Sequence, residues 1–349
     1  MERYSRQMLF APIGKSGQEL LQAKRMAIVG LGALGSVLAS QLARAGVGHL
    51  TLIDRDFVEL SNLGRQLLYD EEDASRSLPK AVAAREKLAA ANSEVECEAR
   101  VADLTPANAH FLLKGHDLLL DGSDNFAVRF LLNDYAVKHD VPWVYSACVA
   151  SYGMMMPILP GRTACLRCLY SAPPAAGSLP TCETAGIIGP AAGVVASLAA
   201  AEALKILVGD LDHVSRALSI VDVWYNNLDR LDVRRREGDG GCPTCVEGRF
   251  DFLEGGRQDL ATTSLCGRNA VQVTPGTLMA EAGAGAAPLD LGALAARLAP
   301  LGPVTTNQYL VRAAPGGQEV VVFRDGRAII KGTTDPAVAR SIYSRYVGG

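Results

Sequence analysis

The stretch Met26-Ala-Ile-Val-Gly-Leu-Gly-Ala-Leu-Gly35 constrains the fold more than any other part of this chain. Four apolar residues run straight into a G-x-G-x-x-G loop formed by Gly30, Gly32 and Gly35. Such a loop needs glycine for a tight turn, for close approach of a phosphate to backbone N–H groups, and for packing of the next helix on its strand. Residues 34–45 read as that helix, and "HLTLID" (49–54) reads as a second buried strand ending in an acidic residue. Loops this short force a parallel strand pair with a right-handed crossover. The expected fold is α/β: a Rossmann-like doubly wound, mostly parallel sheet.

The remaining pattern extends that sheet. Residues 1–23 read as helical, 79–91 and 126–138 as helices, and "DLLLD" (117–121), "PWVYSACVA" and "GMMMPILP" as strands. The Pro/Gly/Ala/Ser-rich stretch at 170–181 reads as a mobile loop, followed by a helix near 189–207. After Cys245 the character changes. Residues 1–246 are expected to form the nucleotide-binding domain, 247–262 a polar linker, and 263–349 a small C-terminal α/β domain with a hairpin turning at Asp325-Gly326. Asp335 and Pro336 suit the start of its last helix.

A formal charge of −3 gives no reason to expect nucleic acid or an anionic membrane as partner. The uncharged run at 184–201 is rich in Ala and Gly and broken by Gly189-Pro190, so it reads as a buried helix and not a membrane span. No apolar signal segment opens the chain, and a cytoplasmic location is expected.

The glycine loop with Asp54, placed to take ribose hydroxyls, serves NAD and ATP equally well. The residues that follow favour a triphosphate. "DRDFVELSNLGRQ" sets Asn62, Arg65 and Gln66 just past the strand, and Lys80 opens the next helix. Fixed cations near a nucleotide suit charge neutralisation at the α-phosphoryl group. "LLLDGSDNFAVR" adds Asp124 and Asn125 beyond a strand's carboxyl edge, where ligands bind in doubly wound sheets. Asp124 suits Mg²⁺, and a cap for the helix at 126–138 is the competing role.

Four of the eight cysteines form two C-x-x-C knuckles, Cys165/Cys168 and Cys242/Cys245. Together they can close one tetrahedral site with no open position, which describes a structural zinc. Cys182 lies at the end of the mobile loop and before a helix, a setting for an accessible, lowered-pKa thiolate. Cys97 and Cys266 have no such context, and Cys148 is expected in the core.

In this order, "RYSRQ" (3–7), "GLGALG", "LIDRD…SNLGRQ", "PK", "DGSDN", the first knuckle, "CETAGIIGP" and the second knuckle resemble the ThiF/MoeB/HesA family, bacterial relatives of ubiquitin-activating enzymes. The resemblance implies ATP-dependent adenylation of the C-terminal glycine carboxylate of a small ubiquitin-like carrier ending in Gly-Gly, with release of pyrophosphate. It implies that Asp54 holds the ribose, that Asn62, Arg65 and Lys80 bind phosphates, and that Asp124 binds Mg²⁺. It further implies that Arg6 reaches into the neighbouring site of a homodimer, and that Cys182 stands where some members bond covalently to the carrier. Gly64 departs from the family's usual glutamine, and residues 263–349 resemble a small extension instead of a sulfur-transfer domain. The competing readings are a zinc-containing NAD(P)-dependent oxidoreductase and a catalytically idle nucleotide-binding subunit. The terminal Gly348-Gly349 copies the expected substrate's end but reads as a frayed helix.

Overall fold

The computed structural model describes residues 2–174, 180–181, 184–238, 240–255, 262–265, 269–274 and 289–347. Cys182, Cys266, Gly348, Gly349 and residues 175–179 of the expected mobile loop lie outside the described residues. The chain divides into two compact units, one built from residues up to 175 with 185–255, the other from 256 onward with 176–184.

The first unit is built on an eight-stranded sheet. Its strands are β1 (Arg25–Val29), β2 (His49–Asp54), β3 (Glu96–Val101), β4 (Leu118–Asp121), β5 (Trp143–Val149), β6 (Tyr152–Ile158), β7 (Ala217–Asp222) and β8 (Asn227–Asp232), in the order β3-β2-β1-β4-β5-β6-β7-β8. From β3 to β5 every pairing is parallel, and the strand order reverses between β1 and β4. β2 and β4 are buried along their whole length, as strands covered on both faces must be. The last three strands are antiparallel. Only Ala150 and Ser151 separate β5 from β6, too few residues for a crossover, so that pair closes as a hairpin with Ala150 at φ +54°. β8 is the outer strand, and each of its residues is exposed.

The helices that matter for the site are α1 (Gly14–Ala23), α2 (Ala33–Ala45), α3 (Lys80–Ala91), α4 (Phe126–Lys138) and α5 (Gly189–Val208). Among the described residues α5 is the one helix long and apolar enough to cross a membrane. It lies instead against α2, β5 and β6, with Ala192, Ala196, Ala199 and Ala203 fully buried. Its alanines are what let two helices and a sheet approach so closely. Cys148, expected in the core, is only half-buried near the end of β5.

The second unit is an antiparallel sheet of β9 (Thr262–Leu265), β10 (Ala270–Val273), β11 (Val304–Thr306), β12 (Leu310–Ala313), β13 (Val320–Phe323) and β14 (Ala328–Lys331), ordered β11-β12-β13-β14-β10-β9. Helices α6 (Leu291–Leu298) and α7 (Pro336–Tyr346) close a core of Val271, Leu294, Val311, Val322, Ile330 and Ala339. The hairpin turns at Asp325 and Gly326, with Gly326 at φ +88°. Asp335 caps α7 by accepting from the Ala337 N–H at 2.7 Å.

Candidate active site

The carboxyl ends of β1, β2 and β4 meet at the point where the strand order reverses. Gly30 leaves β1 at φ +87°, and an added Cβ there would stand 2.6 Å from the Gly122 backbone. A Cβ on Gly35 would stand 1.9 Å from the Gly30 carbonyl oxygen. These glycines therefore bring three backbone segments into contact: the β1 loop, the start of α2 and the loop after β4. Gly32 differs, because a Cβ there would meet only Gln66 Nε2, at 3.9 Å. Gly32 is also the N-cap of α2 and offers no side-chain acceptor, so the first N–H groups of that helix are left for a ligand. Gln66 is buried beside this space and its Oε1 has no hydrogen-bond partner among the described residues. An uncapped helix start, open room above a glycine and an orphaned amide oxygen together fit a nucleotide whose phosphates lie over Gly32.

Asp54, at the end of β2, fastens this cradle. Its Oδ2 accepts the Leu31 N–H at 2.6 Å and its Oδ1 accepts the Asp56 N–H at 2.7 Å. Burial pushes its carboxyl above the usual range, and the Lys80 charge opposes that shift. Each oxygen keeps a lone pair for a ribose hydroxyl. Lys80 opens α3 and is only 3% exposed, with Nζ 3.4 Å from Asp56 Oδ2. Tyr69 ties the two sides together, its hydroxyl donating to the Leu31 carbonyl at 2.9 Å and the Lys80 carbonyl at 3.3 Å.

The remaining candidates occupy the rim. Asn62 closes a one-turn helix, Leu60–Asn62, by accepting the Glu59 N–H. Arg65 is half-buried, with Nη1 donating to the Ser61 carbonyl at 2.8 Å. A Cβ on Gly64 would meet nothing within 4 Å, so this loop has room for a larger residue and does not depend on glycine. Asn125 takes the capping role for α4, accepting from the Ala127 N–H at 2.8 Å, while Asp124 is exposed. Arg6 is exposed on the helix Ser5–Met8 and has no ion-pair partner among the described residues. Its neighbours anchor that helix: Tyr4 is buried, and Gln7 donates to Gln18 at 2.7 Å and to the Ala45 carbonyl at 2.9 Å. The structure thus brings Gly30, Gly32, Gly35, Asp54, Gln66 and Lys80 together, sets Asn62 and Arg65 beside them, and places Arg6 apart from the cradle's hydrogen-bond network. Asp56 and Tyr69 belong to the cradle and went unread. The second acidic residue of "DRD" was the available signal for Asp56.

The four knuckle cysteines converge, with all their Sγ atoms within 4.8 Å of one another. Cys165 and Cys242 are 3.5 Å apart, as are Cys168 and Cys245. Zinc–sulfur bonds of about 2.3 Å in a tetrahedron put sulfurs about 3.8 Å apart, so the cluster fits zinc. α4 holds both knuckles. Asn133 Oδ1 accepts the Leu166 N–H at 2.8 Å, and Asp134 accepts from Thr244 Oγ1 at 3.0 Å and the Phe252 N–H at 2.8 Å. Burial lifts the Asp134 carboxyl to about 6. Two hydrogen bonds to a buried charge predict that Asp134→Ala costs about 2 kcal/mol of stability and speeds zinc loss to a chelator. Denaturant titration and a metallochromic dye measure the two effects.

The ThiF family model matches residues 4–244. Over 347 residues, 99% of each protein, the chain is 44% identical to the sulfur carrier protein ThiS adenylyltransferase of Bacillus subtilis, so that likeness runs through both units. It is 40% identical over 250 residues to a sulfur carrier protein adenylyltransferase of Thermus thermophilus, covering 70% of this chain and 90% of the relative. A crystal structure of E. coli MccB with succinimide shares the fold at 21% identity and a TM-score of 0.60, over 70% of this chain and 73% of that one. The chain belongs to the ThiF family and is an adenylyltransferase of the ubiquitin-activating type.

Proposed function

We propose that this enzyme uses ATP to adenylate the C-terminal carboxylate of a small ubiquitin-like sulfur carrier ending in Gly-Gly. A carrier carboxylate oxygen forms a bond to the α-phosphorus, the bond to the β-phosphate bridge breaks, and pyrophosphate leaves with that electron pair. The carrying observation is the cradle itself: an uncapped helix start over open Gly32, with the buried Lys80 ammonium beside it. The carboxylate is already ionised at neutral pH, so the task is positioning and charge neutralisation, without a general base.

In this reading Asp54 takes the ribose hydroxyls, while Lys80, Arg65 and Asn62 hold the phosphates, with Gln66 and Asn125 at the edge of the nucleotide. Mg²⁺ on Asp124 neutralises phosphate charge when bound. Arg6, exposed and without an ion-pair partner among the described residues, serves the site of a second copy, which makes the working unit a homodimer in the cytoplasm. Zinc in the four-cysteine cluster is structural. The relatives named for sulfur carriers support the substrate class.

ATP–pyrophosphate exchange that depends on a Gly-Gly-ended carrier tests the reading. Absence of exchange with every carrier of the organism overturns it. Cys182→Ala is expected to leave exchange within about two-fold of wild type and to remove any covalent carrier adduct seen by intact mass. Loss of exchange in that variant contradicts a role confined to the later step.

A further inference from the structure

We propose that Arg129 is a positioning residue for the nucleotide site: its guanidinium fastens the 121–125 turn onto the glycine cradle and so fixes where Asp124 stands. The inference rests on the reading of Asp124 as the magnesium-holding carboxylate.

Arg129 sits in α4, one turn in from the helix start, and is almost fully buried. Its Nε donates to Asp121 Oδ2 at 3.0 Å, and Nη2 donates to the Ser123 carbonyl at 2.7 Å and the Ser146 carbonyl at 3.3 Å. The guanidinium lies over the rings of Phe126, 5.1 Å away, and Tyr145, 5.5 Å away. Asp121 completes the clamp, its Oδ1 accepting from the Ser123 N–H at 2.9 Å and Ser123 Oγ at 2.6 Å. Ser146 Oγ donates to the Asp121 carbonyl.

The turn is thereby held at residues 121 and 123 on one side, and by the Asn125 cap on the other. Between these points Gly122 presses on the cradle, where a Cβ would stand 2.3 Å from the Gly30 carbonyl oxygen and 2.8 Å from Gly35 Cα. Asp124 is the next residue after the Ser123 carbonyl that Arg129 grips, and its charge also acts on the guanidinium. A mere stabilising ion pair needs Asp121 alone. The fork to two backbone carbonyls adds geometry, which lysine cannot copy.

The test is calorimetric ATP binding with and without Mg²⁺, well below the unfolding temperature, for wild type, Arg129→Gln and Arg129→Lys. The expected result is that the tightening of ATP binding by Mg²⁺ falls about ten-fold in both variants, while metal-free ATP binding stays within about three-fold of wild type. Arg129→Lys retains the charge beside Asp121, so it remains informative if Arg129→Gln does not fold. Folded variants with the wild-type Mg²⁺ effect overturn the inference, as does equal loss of metal-free and Mg²⁺-assisted binding. A wild type that binds ATP with Mg²⁺ but shows no carrier-dependent exchange overturns the proposed substrate and leaves this measurement valid.

Discussion

Lys80→Ala is expected to lower carrier-dependent pyrophosphate exchange by about 10²–10³-fold, the loss that follows removal of one preorganised charge at a reacting centre. Lys80 is 3% exposed, so its ammonium acts with little screening by water or salt. Its ion pair with Asp56, at 3.4 Å, keeps it beside the cradle before any phosphate arrives. Alanine also leaves Asp56 buried without that cation, and some loss of stability accompanies the catalytic loss. The double variant Lys80→Ala/Asp56→Asn separates the two, because it removes the Asp56 charge, which Arg55 Nε faces from 4.0 Å, without restoring the Lys80 cation. Recovery of thermal stability without recovery of exchange is the expected outcome. Exchange within about three-fold of wild type in the folded single variant contradicts a phosphate-binding role.

The second large effect is on folding. Stripping zinc, or replacing Cys242 by serine, is expected to lower the unfolding temperature by roughly 10 °C or more, since structural zinc sites contribute apparent binding free energies of about 10–16 kcal/mol in small peptides. The two knuckles lie 77 residues apart, so a zinc held there would close a long loop and tie the segment after β8 back to the body. Without it, residues 242–255 keep the Asp134 hydrogen bonds and the tilted ring contact of Phe252 with Phe130, with centroids 4.7 Å apart. The Arg167–Asp251 pair at 2.8 Å and the Lys138–Glu254 pair add to these, but partly exposed pairs contribute little beside four metal bonds, and proteolysis of the apo protein should begin there. Metal analysis should return one zinc per chain. An apo protein with an unchanged transition contradicts the assignment.

What could be read in the sequence followed from residues whose chemistry leaves few options. The glycines of the cradle, the cysteine spacing and the uncharged stretch of α5 each admit one arrangement, and each is found where expected. β3 and β8 escaped because outer strands carry no apolar run: "ECEARV" is half-buried at best, and "NLDRLD" is exposed throughout. β7 was missed with its hairpin partner, although its own burial is only partial. Inside the site, the residues proposed to meet the nucleotide were legible, while those that hold them were not. Arg129, Asn133 and Asp134 look like ordinary polar positions on a helix, and their partners come from other strands and knuckles. Sequence spacing shows an i, i+3 relation but not one that crosses from β4 to β5 or from α4 to residue 244.

The flank of β8, uncovered among the described residues, has a bearing on solubility. An outer strand with a free row of N–H and C=O groups is a template for a stray chain, and Leu228 and Leu231 on it are both more than half exposed. Asp229, Arg230 and Asp232 interrupt that surface with charge of both signs. Each would have to be stripped of water before a foreign strand could add to the sheet. Charges so placed are the kind that block fibre growth and amorphous clumping, and replacing these three with neutral residues is expected to raise aggregation on storage.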